Sequence, residues 1–299
     1  MQSTIKIKQE YDKALLYVLD KLPRDFARDL FVFIQENGIF TINEIRIREA
    51  SMASLLINKK IIQTNVITTR EHMEKIVLAL CDGSIYAHLN TIKNGYLSVG
   101  KGIRAGICGK AVTENGQIVG IYDVSSINIR IPQRILHAGR FVFEYLKNTN
   151  YLTSAILYSP PGVGKTTVLR DLVSRLSKES VRFAVIDTRE EITPFSNEAL
   201  SCDVFLSYPK DVAIDIATKT MTPQVIICDE ITTAQEAEAI KYTVNCGVSF
   251  IATAHARCYE ELMSKEILKP LFSCHAFDVA IGICRRPDNR FDFSVNEIK

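Results

Sequence analysis

Ser154-Ala155-Ile156-Leu157-Tyr158, then Ser159-Pro160-Pro161-Gly162-Val163-Gly164-Lys165-Thr166-Thr167, then the helical pattern VLRDLVSRLSK from Val168 to Lys178, is the stretch on which the reading of this sequence turns. A short apolar strand, a glycine loop and a helix in that order make the context that a phosphate-binding P-loop of the Walker A type requires. Gly162 and Gly164 let backbone N–H groups curl around phosphate oxygens. Lys165 is placed to reach the β and γ phosphates, and the Thr166 hydroxyl to bind Mg²⁺. Ser159, Pro160, Pro161, Val163 and Thr167 complete the expected nucleotide-binding loop. The full pattern, GxxxxGK[ST], begins with glycine, and Ser159 stands at that position; the phosphate-cradling part is intact.

A P-loop of this kind calls for carboxylates on a neighbouring strand. Val225-Ile226-Ile227-Cys228-Asp229-Glu230 supplies them, with four apolar residues running into two acids at the strand's C-terminal end, where such sheets bind ligands. Asp229 is expected to hold Mg²⁺ or its water, and Glu230 to orient and activate the attacking water. Capping of the following helix is the plainer role for either carboxylate.

Two further strand ends carry polar groups. RFAVID leads into Asp187-Thr188-Arg189-Glu190-Glu191, which reads either as a solvated loop or as one in which Glu190 or Glu191 helps place Mg²⁺ or water. VSFIATAHA ends with Thr253, a candidate γ-phosphate sensor, and His255, which could link the site to a neighbouring subunit or the other domain or serve only structure.

From Tyr151 onward, apolar segments alternate with helical stretches: SAILYS, RFAVIDT, DVFLS, QVIICDE, VSFIATAH and DVAIGICR. Each is apolar enough to be buried on both faces, which argues for a parallel sheet wrapped by helices. The first part of the chain differs. Tyr11 to Leu22 has helical spacing, Pro23 ends that helix or starts the next, and Gly38 closes the second. In NEIRIRE, Ile45 and Ile47 face one way while Glu44, Arg46 and Arg48 face the other. Thr68 with Glu71 resembles a capping box for a helix from Arg70 to Leu80. Asn115-Gly116 marks a hairpin between strand-like segments. The expected fold is thus α/β: a smaller α+β domain over 1–135, then a P-loop domain over 136–299, with PQRILHAGR as the connection.

Composition sets bounds. Across 299 residues, 47% hydrophobic and 23% charged residues describe a folded globular chain. With 36 Lys and Arg against 34 Asp and Glu, a net charge of +2 is too small for a general polyanion binder. No apolar run approaches the roughly 18 to 20 residues of a membrane span, and MQSTIKIKQEYDK lacks the core of a secretory signal, so a cytoplasmic location is expected. The eight cysteines form no CxxC pair. Cys246, His255, Cys258, Cys274 and His275 lack the close ligand pairs usual in zinc sites, so reduced cysteines used as small apolar residues are preferred.

Together, EIRIR at 44–48, GIRAGICGKAV at 102–112, SINIRI at 126–131, PPGVGKTTVLRDL at 160–172, IDTREEI at 186–192, DEI at 229–231 and TAHA at 253–256 resemble the secretion ATPase superfamily of type II and type IV systems, in particular its branch from spore-forming bacteria. That resemblance implies a RecA-like core, a homo-oligomer in the form of a hexameric ring, and Mg²⁺-dependent ATP hydrolysis. It also implies membrane-embedded channel proteins as partners, met from the mother-cell side, where the ATPase powers or assembles a transenvelope channel toward the developing spore. An arginine acting from an adjacent subunit is a further implication, with Arg104, Arg130, Arg134 and Arg140 as candidates. The C-terminal RRPDNRFDFSV matches the family only loosely, which leaves Arg285 and Arg286 without a role.

Two alternatives stay open on the residues. One is a nucleic-acid-handling P-loop ATPase using Arg46, Arg48, Lys59 and Lys60, disfavoured by the near-neutral charge and the lack of interleaved aromatics. The other is a non-hydrolysing scaffold that nucleotide merely stabilises. A nucleoside kinase is disfavoured by the glutamate directly after the strand-end aspartate, and the absence of an NKxD sequence favours ATP over GTP.

Overall fold

Two hydrophobic periods in one chain produce two different sheets. The computed structural model describes residues 12–100, 102–132, 135, 137–188, 190–193, 200–286 and 290–298. It divides into two compact units, Met1–Arg134 and Ile135–Lys299.

In the first unit, α1 (Lys13–Lys21) starts on Asp12, whose carboxylate accepts from the Ala14 amide, and α2 (Arg24–Glu36) follows Pro23. Tyr11 lies outside the described residues. Then come β1 (Glu44–Arg48), β2 (Ser51–Ile57), β3 (Lys60–Thr68), α3 (Arg70–Leu80), a 3₁₀ turn over 85–88, the one-turn α4 (Leu89–Ile92), β4 (Tyr96–Gly100), β5 (Ile103–Glu114) and β6 (Gln117–Arg130). The six strands lie in the order β3-β2-β1-β6-β5-β4, with every pairing antiparallel. The period-two pattern of β1 is realised: Ile45 and Ile47 are fully buried. Asn115 and Gly116 both have positive φ, 50° and 76°, as a two-residue type I′ turn demands, and Glu114 pairs with Gln117 across it.

The capping box of α3 sits one residue later than the sequence suggested. Thr69, not Thr68, accepts from the His72 amide, and the His72 ring, not Glu71, receives the Thr69 amide. Thr68 is instead the last residue of β3 and is buried, so its side chain belongs to the sheet and not to the helix end.

The second unit contains α5 (Arg140–Asn148), β7 (Ala155–Ser159), α6 (Lys165–Leu176), β8 (Phe183–Asp187), β9 (Asp203–Leu206), α7 (Lys210–Ile216) running into a π-helical turn, β10 (Val225–Glu230), α8 (Ala234–Asn245), β11 (Ser249–His255), α9 (Tyr259–Met263), α10 (Lys269–Ser273), β12 (Val279–Arg285) and β13 (Phe291–Glu297). Its strand order is β13-β12-β7-β11-β10-β8-β9. All neighbours are parallel except β13, an antiparallel edge strand. One face of the sheet packs Leu157, Val185 and Ile227 against Val142 of α5 and Val168 and Leu172 of α6. The other packs Ile156, Ile226 and Phe250 against Ile214 of α7 and Ile240 of α8. This is the three-layer α/β arrangement the alternating pattern implied.

One sequence expectation is corrected here. DVFLS is not buried on both faces: β9 is an edge strand, and within it only Phe205 is buried. A central position requires cover on both sides, which an edge strand does not have. RRPDNRFDFSV contributes β13, which closes the opposite edge by pairing along the whole of β12; residues 287–289 lie outside the described set.

α5 reaches the sheet through a close approach at Gly139. A Cβ built there would lie 2.6 Å from the Val168 carbonyl oxygen and 2.7 Å from the Leu172 amide nitrogen, both backbone atoms of α6. Gly139 also donates its amide to Asp171 at 2.9 Å. Gly139→Ala is expected to destabilise the fold by about 1–3 kcal/mol, as overpacking against unyielding backbone does. Urea unfolding measures this, and a wild-type midpoint would mean that α5 and α6 are not this close.

Candidate functional site

Because β7, β11, β10 and β8 are parallel, their C-terminal ends share one edge of the sheet, and the polar residues singled out above lie along it. Ser159 ends β7 in extended pairing opposite His255 of β11. Its φ is not positive, whereas those of Gly162 and Gly164 are 77° and 130°. The first loop position therefore makes no demand that only glycine meets, and serine is tolerated. Pro160, Pro161 and Val163 carry the turn to Gly164, which caps α6 with no side-chain acceptor on its first amides. The open amide end of a twelve-residue helix attracts an anion. Thr166 and Thr167 lie in its first turn.

Lys165 is buried, 7% exposed, and folds back on the loop. Its ammonium donates to the Ser159 carbonyl at 3.0 Å and to Nδ1 of His255 at 2.6 Å. On the other side of the ring, His255 Nε2 lies 3.0 Å from Glu230 Oε2. A neutral imidazole protonated on Nε2 satisfies both contacts, accepting from Lys165 and donating to Glu230. Burial lowers the Lys165 pKa to about 8; the Glu230 carboxylate opposes that shift and Lys265 adds to it.

The carboxylate strand is not the neighbour of the P-loop strand, contrary to the sequence expectation. β11 lies between β7 and β10, so contact between the two motifs runs through β11's terminal residue, His255. Thr253 is buried in β11 at 3% exposure, in register with Glu230.

Asp229 is engaged on one side already. Strand alternation puts Ile227 in the cluster with α6, and Ile226 and Cys228 in the one with α7. The pairing of β10 with β11 then slips between Ile227 and Glu230. Asp229 Oδ1 meets the Lys210 ammonium from the start of α7 at 2.5 Å. Lys210 also donates to the Glu230 carbonyl and lies 3.7 Å from Glu236. Burial works against the Lys210 charge, while Cys228, the Asp229 carboxylate and Glu236 together oppose that effect and hold its pKa above the ordinary lysine value. Glu236 in turn forms the capping box of α8 with Thr233. The helix-capping role weighed for Asp229 or Glu230 thus falls to Glu236.

In the loop after β8 it is the fully buried Asp187 that organises the chain. Its carboxylate accepts from the amides of Glu191, Ile192 and Thr193 and from the Thr193 hydroxyl, all within 3.0 Å. Glu190 follows in a left-handed turn with φ 55°, and the Glu191 carbonyl receives the Arg170 guanidinium of α6. Arg189 lies outside the described residues.

Among the arginines considered for action in trans, Arg130 lies 3.6 Å from Glu44 and Arg104 stacks on the Tyr96 ring at 5.7 Å. Arg140 begins α5. Arg134 lies outside the described residues. Of the basic residues considered for nucleic acid, Arg46 is paired with Glu44 at 2.7 Å. All eight cysteines are free, and no group of three or more His, Cys, Asp or Glu able to hold a metal occurs among the described residues.

Lys210 and Glu236 were not singled out by the sequence, and Asp187 figured there only as the first residue of a charged cluster. Lys210 follows Pro209 at a helix start, which is ordinary surface chemistry, and nothing in local spacing ties it to a strand that begins fifteen residues later.

A family profile described as "Sporulation stage III, protein AA" matches residues 32–287. The chain belongs to this family. It is 31% identical over 264 residues to "Stage III sporulation protein AA" of Bacillus subtilis (strain 168), covering 84% of this chain and 85% of that one. The fold is similar to that of the pilus retraction motor PilT, solved with bound ADP (TM-score 0.61, 12% identity, 89% of this chain and 82% of that one). It is also similar to the Legionella pneumophila ATPase DotB (TM-score 0.58, 14% identity, 89% and 80%). The second unit thus has the RecA-like fold of the secretion ATPases. No described helix of this member of the stage III family is long and apolar enough to cross a membrane.

Proposed function

We propose that this chain is an Mg²⁺-dependent ATPase of the secretion type, working as a homo-oligomeric ring, expected as a hexamer, that powers or assembles a transenvelope channel during sporulation. The observation that carries the enzymatic part is the Lys165–His255–Glu230 chain beside an uncapped helix N-terminus and a two-glycine loop. Membership of the stage III sporulation family and the fold shared with DotB and PilT support the rest. Channel proteins in the membrane are the proposed partners, reached from the mother-cell cytoplasm.

In this reading, the loop amides of 162–167 bind the phosphates. Lys165 leaves the Ser159 carbonyl and His255 for phosphate oxygen. Glu230 accepts the proton of the attacking water as its oxygen bonds to the γ phosphorus, and the bond to the β-phosphate oxygen of ADP breaks. His255 orients Glu230 through its Nε2–H, and Glu190 helps place water from the next strand. Thr166 and Asp229 would hold Mg²⁺: both offer oxygen donors, and this ion is usually held by one or two protein oxygens with phosphates and waters completing its shell. When bound, the ion neutralises charge on the phosphates.

Steady-state phosphate release from MgATP over a wide range of protein concentration tests the proposal. Specific activity rising with concentration is the expected result, since a ring completes its sites between subunits. Flat activity would discard the ring, and ATP binding without release would leave a nucleotide-stabilised scaffold. Stimulation by single-stranded or duplex DNA at low salt would favour nucleic-acid handling instead.

The lowered pKa of Lys165 predicts a pH dependence. The protonated ammonium binds phosphate, and bound polyanion raises its pKa again. Affinity is therefore level below pH 8 and falls above it, by up to about tenfold per unit. Binding at pH 8.5 should take up protons, seen by calorimetry in buffers of different ionisation heat. Zero uptake would mean that Lys165 does not change its proton occupancy on binding.

A further inference from the structure

Beside the phosphate loop, the last strand places an aromatic ring that neither motif accounts for. A Cβ built on Gly164 would lie 2.8 Å from Cε1 and Cζ of Phe291 and 3.8 Å from Thr167 Cβ. The Phe291 ring therefore rests on the loop at the start of α6. It sits on β13 directly opposite Arg285, whose guanidinium lies 5.8 Å from the ring centroid. Phe293, two residues on, is 6.5 Å away and stacks on Phe141 of α5 at 4.9 Å with the planes 9° apart. That stack ties the face of β13 to α5, so the ring at 291 is carried on a supported strand. Phe291 itself is only half-buried, and an aromatic ring half in water beside a phosphate cradle is placed for a flat ligand.

We propose that Phe291, backed by Arg285, is the platform against which the base of a nucleoside triphosphate stacks when its phosphates occupy the loop of Ser159 to Thr167. The proposal rests on the nucleotide reading above and adds where the base lies and what holds it. With its phosphates at the loop amides and Lys165, a ligand whose nucleoside end runs along the first turn of α6 meets the Phe291 ring, which touches Gly164 near Thr167. Stacking recognises the π-face that every base has, so the platform gives affinity for a base without reading its edge. Arg285 contributes a cation over the ring.

The test compares binding of ATP and of inorganic tripolyphosphate, both with Mg²⁺, to the wild-type full chain, Phe291→Ala, Phe291→Leu and Lys165→Ala. Phe291→Leu keeps apolar bulk on the loop and removes the ring, so it serves if Phe291→Ala does not fold. The expected result is an ATP affinity about 5- to 150-fold weaker without the ring, the range of base stacking on an aromatic side chain, with tripolyphosphate affinity unchanged. Equal weakening of both ligands would overturn the platform, because the ring would then only shape the loop. Unchanged or tighter ATP binding would overturn it as well, the latter showing a ring that obstructs the site. If Lys165→Ala binds both ligands as wild type does, the nucleotide reading itself fails, a result separate from any effect at Phe291.

Discussion

Glu230→Gln binds MgATP with wild-type affinity and loses about 10²- to 10⁴-fold in turnover, the span associated with removing a positioned general base. The substitution keeps size and shape. Its amide oxygen still accepts from His255 Nε2, which Glu230 Oε2 meets at 3.0 Å in the wild type, so the Lys165–His255 contact need not move. What it loses is the capacity to take a proton from water. Rapid-quench single-turnover measurement separates the chemical step from product release, and turnover within threefold of wild type would remove Glu230 from the role of base. His255→Asn provides the companion measurement. A positioning residue there lowers turnover while leaving tripolyphosphate affinity near wild type, whereas a merely structural histidine shifts the unfolding midpoint and not the rate.

Lys210→Met destabilises the protein by about 3–5 kcal/mol, the cost of removing one partner from a buried ionic cluster. Lys210 is 8% exposed and faces Asp229 and Glu236, which are themselves largely covered. Methionine fills the space of the lysine stem and leaves two carboxylates without their cation. The elevated pKa of Lys210 fixes the sign with pH: a group protonated more readily in the folded state contributes its full stability below the unfolded lysine value of about 10.4, and that contribution disappears as pH rises through the higher folded value. The difference between wild type and Lys210→Met should therefore hold steady through neutral pH and shrink only in strong alkali. Chemical denaturation at pH 7 and at pH 11 checks it. An equal difference at both would assign the effect to packing and not to charge.

Both residues bear on how far the sequence could be read. The loop from Ser159 to Thr167 and the acids at 229 and 230 are legible because their signals are local. A strand of apolar residues must end, glycines must turn, and a helix must begin within a few residues of one another. Buried parallel strands are equally plain from their unbroken apolar runs, as β7, β8, β10 and β11 show. The weakest strand pattern, DVFLS, is the one whose burial differs from expectation, since an edge differs from a centre only by what lies beside it.

Local pattern along the chain thus settles the α/β class, the glycine loop between a strand and a helix, and the strand ends from which polar groups project. Strand order, and with it every contact across the site, is set by packing between segments far apart in sequence. β11 enters between β7 and β10 in the folded sheet, and no residue near 165 or 230 records that choice. From it follow the bridging of Lys165 and Glu230 by His255, the meeting of Lys210 with Asp229 at a slip in register, and the seat of Phe291 on Gly164. A one-residue shift in pairing moves a side chain to the other face of a strand, which is why these pairings belong to the folded sheet and not to the spacing of the residues that make them.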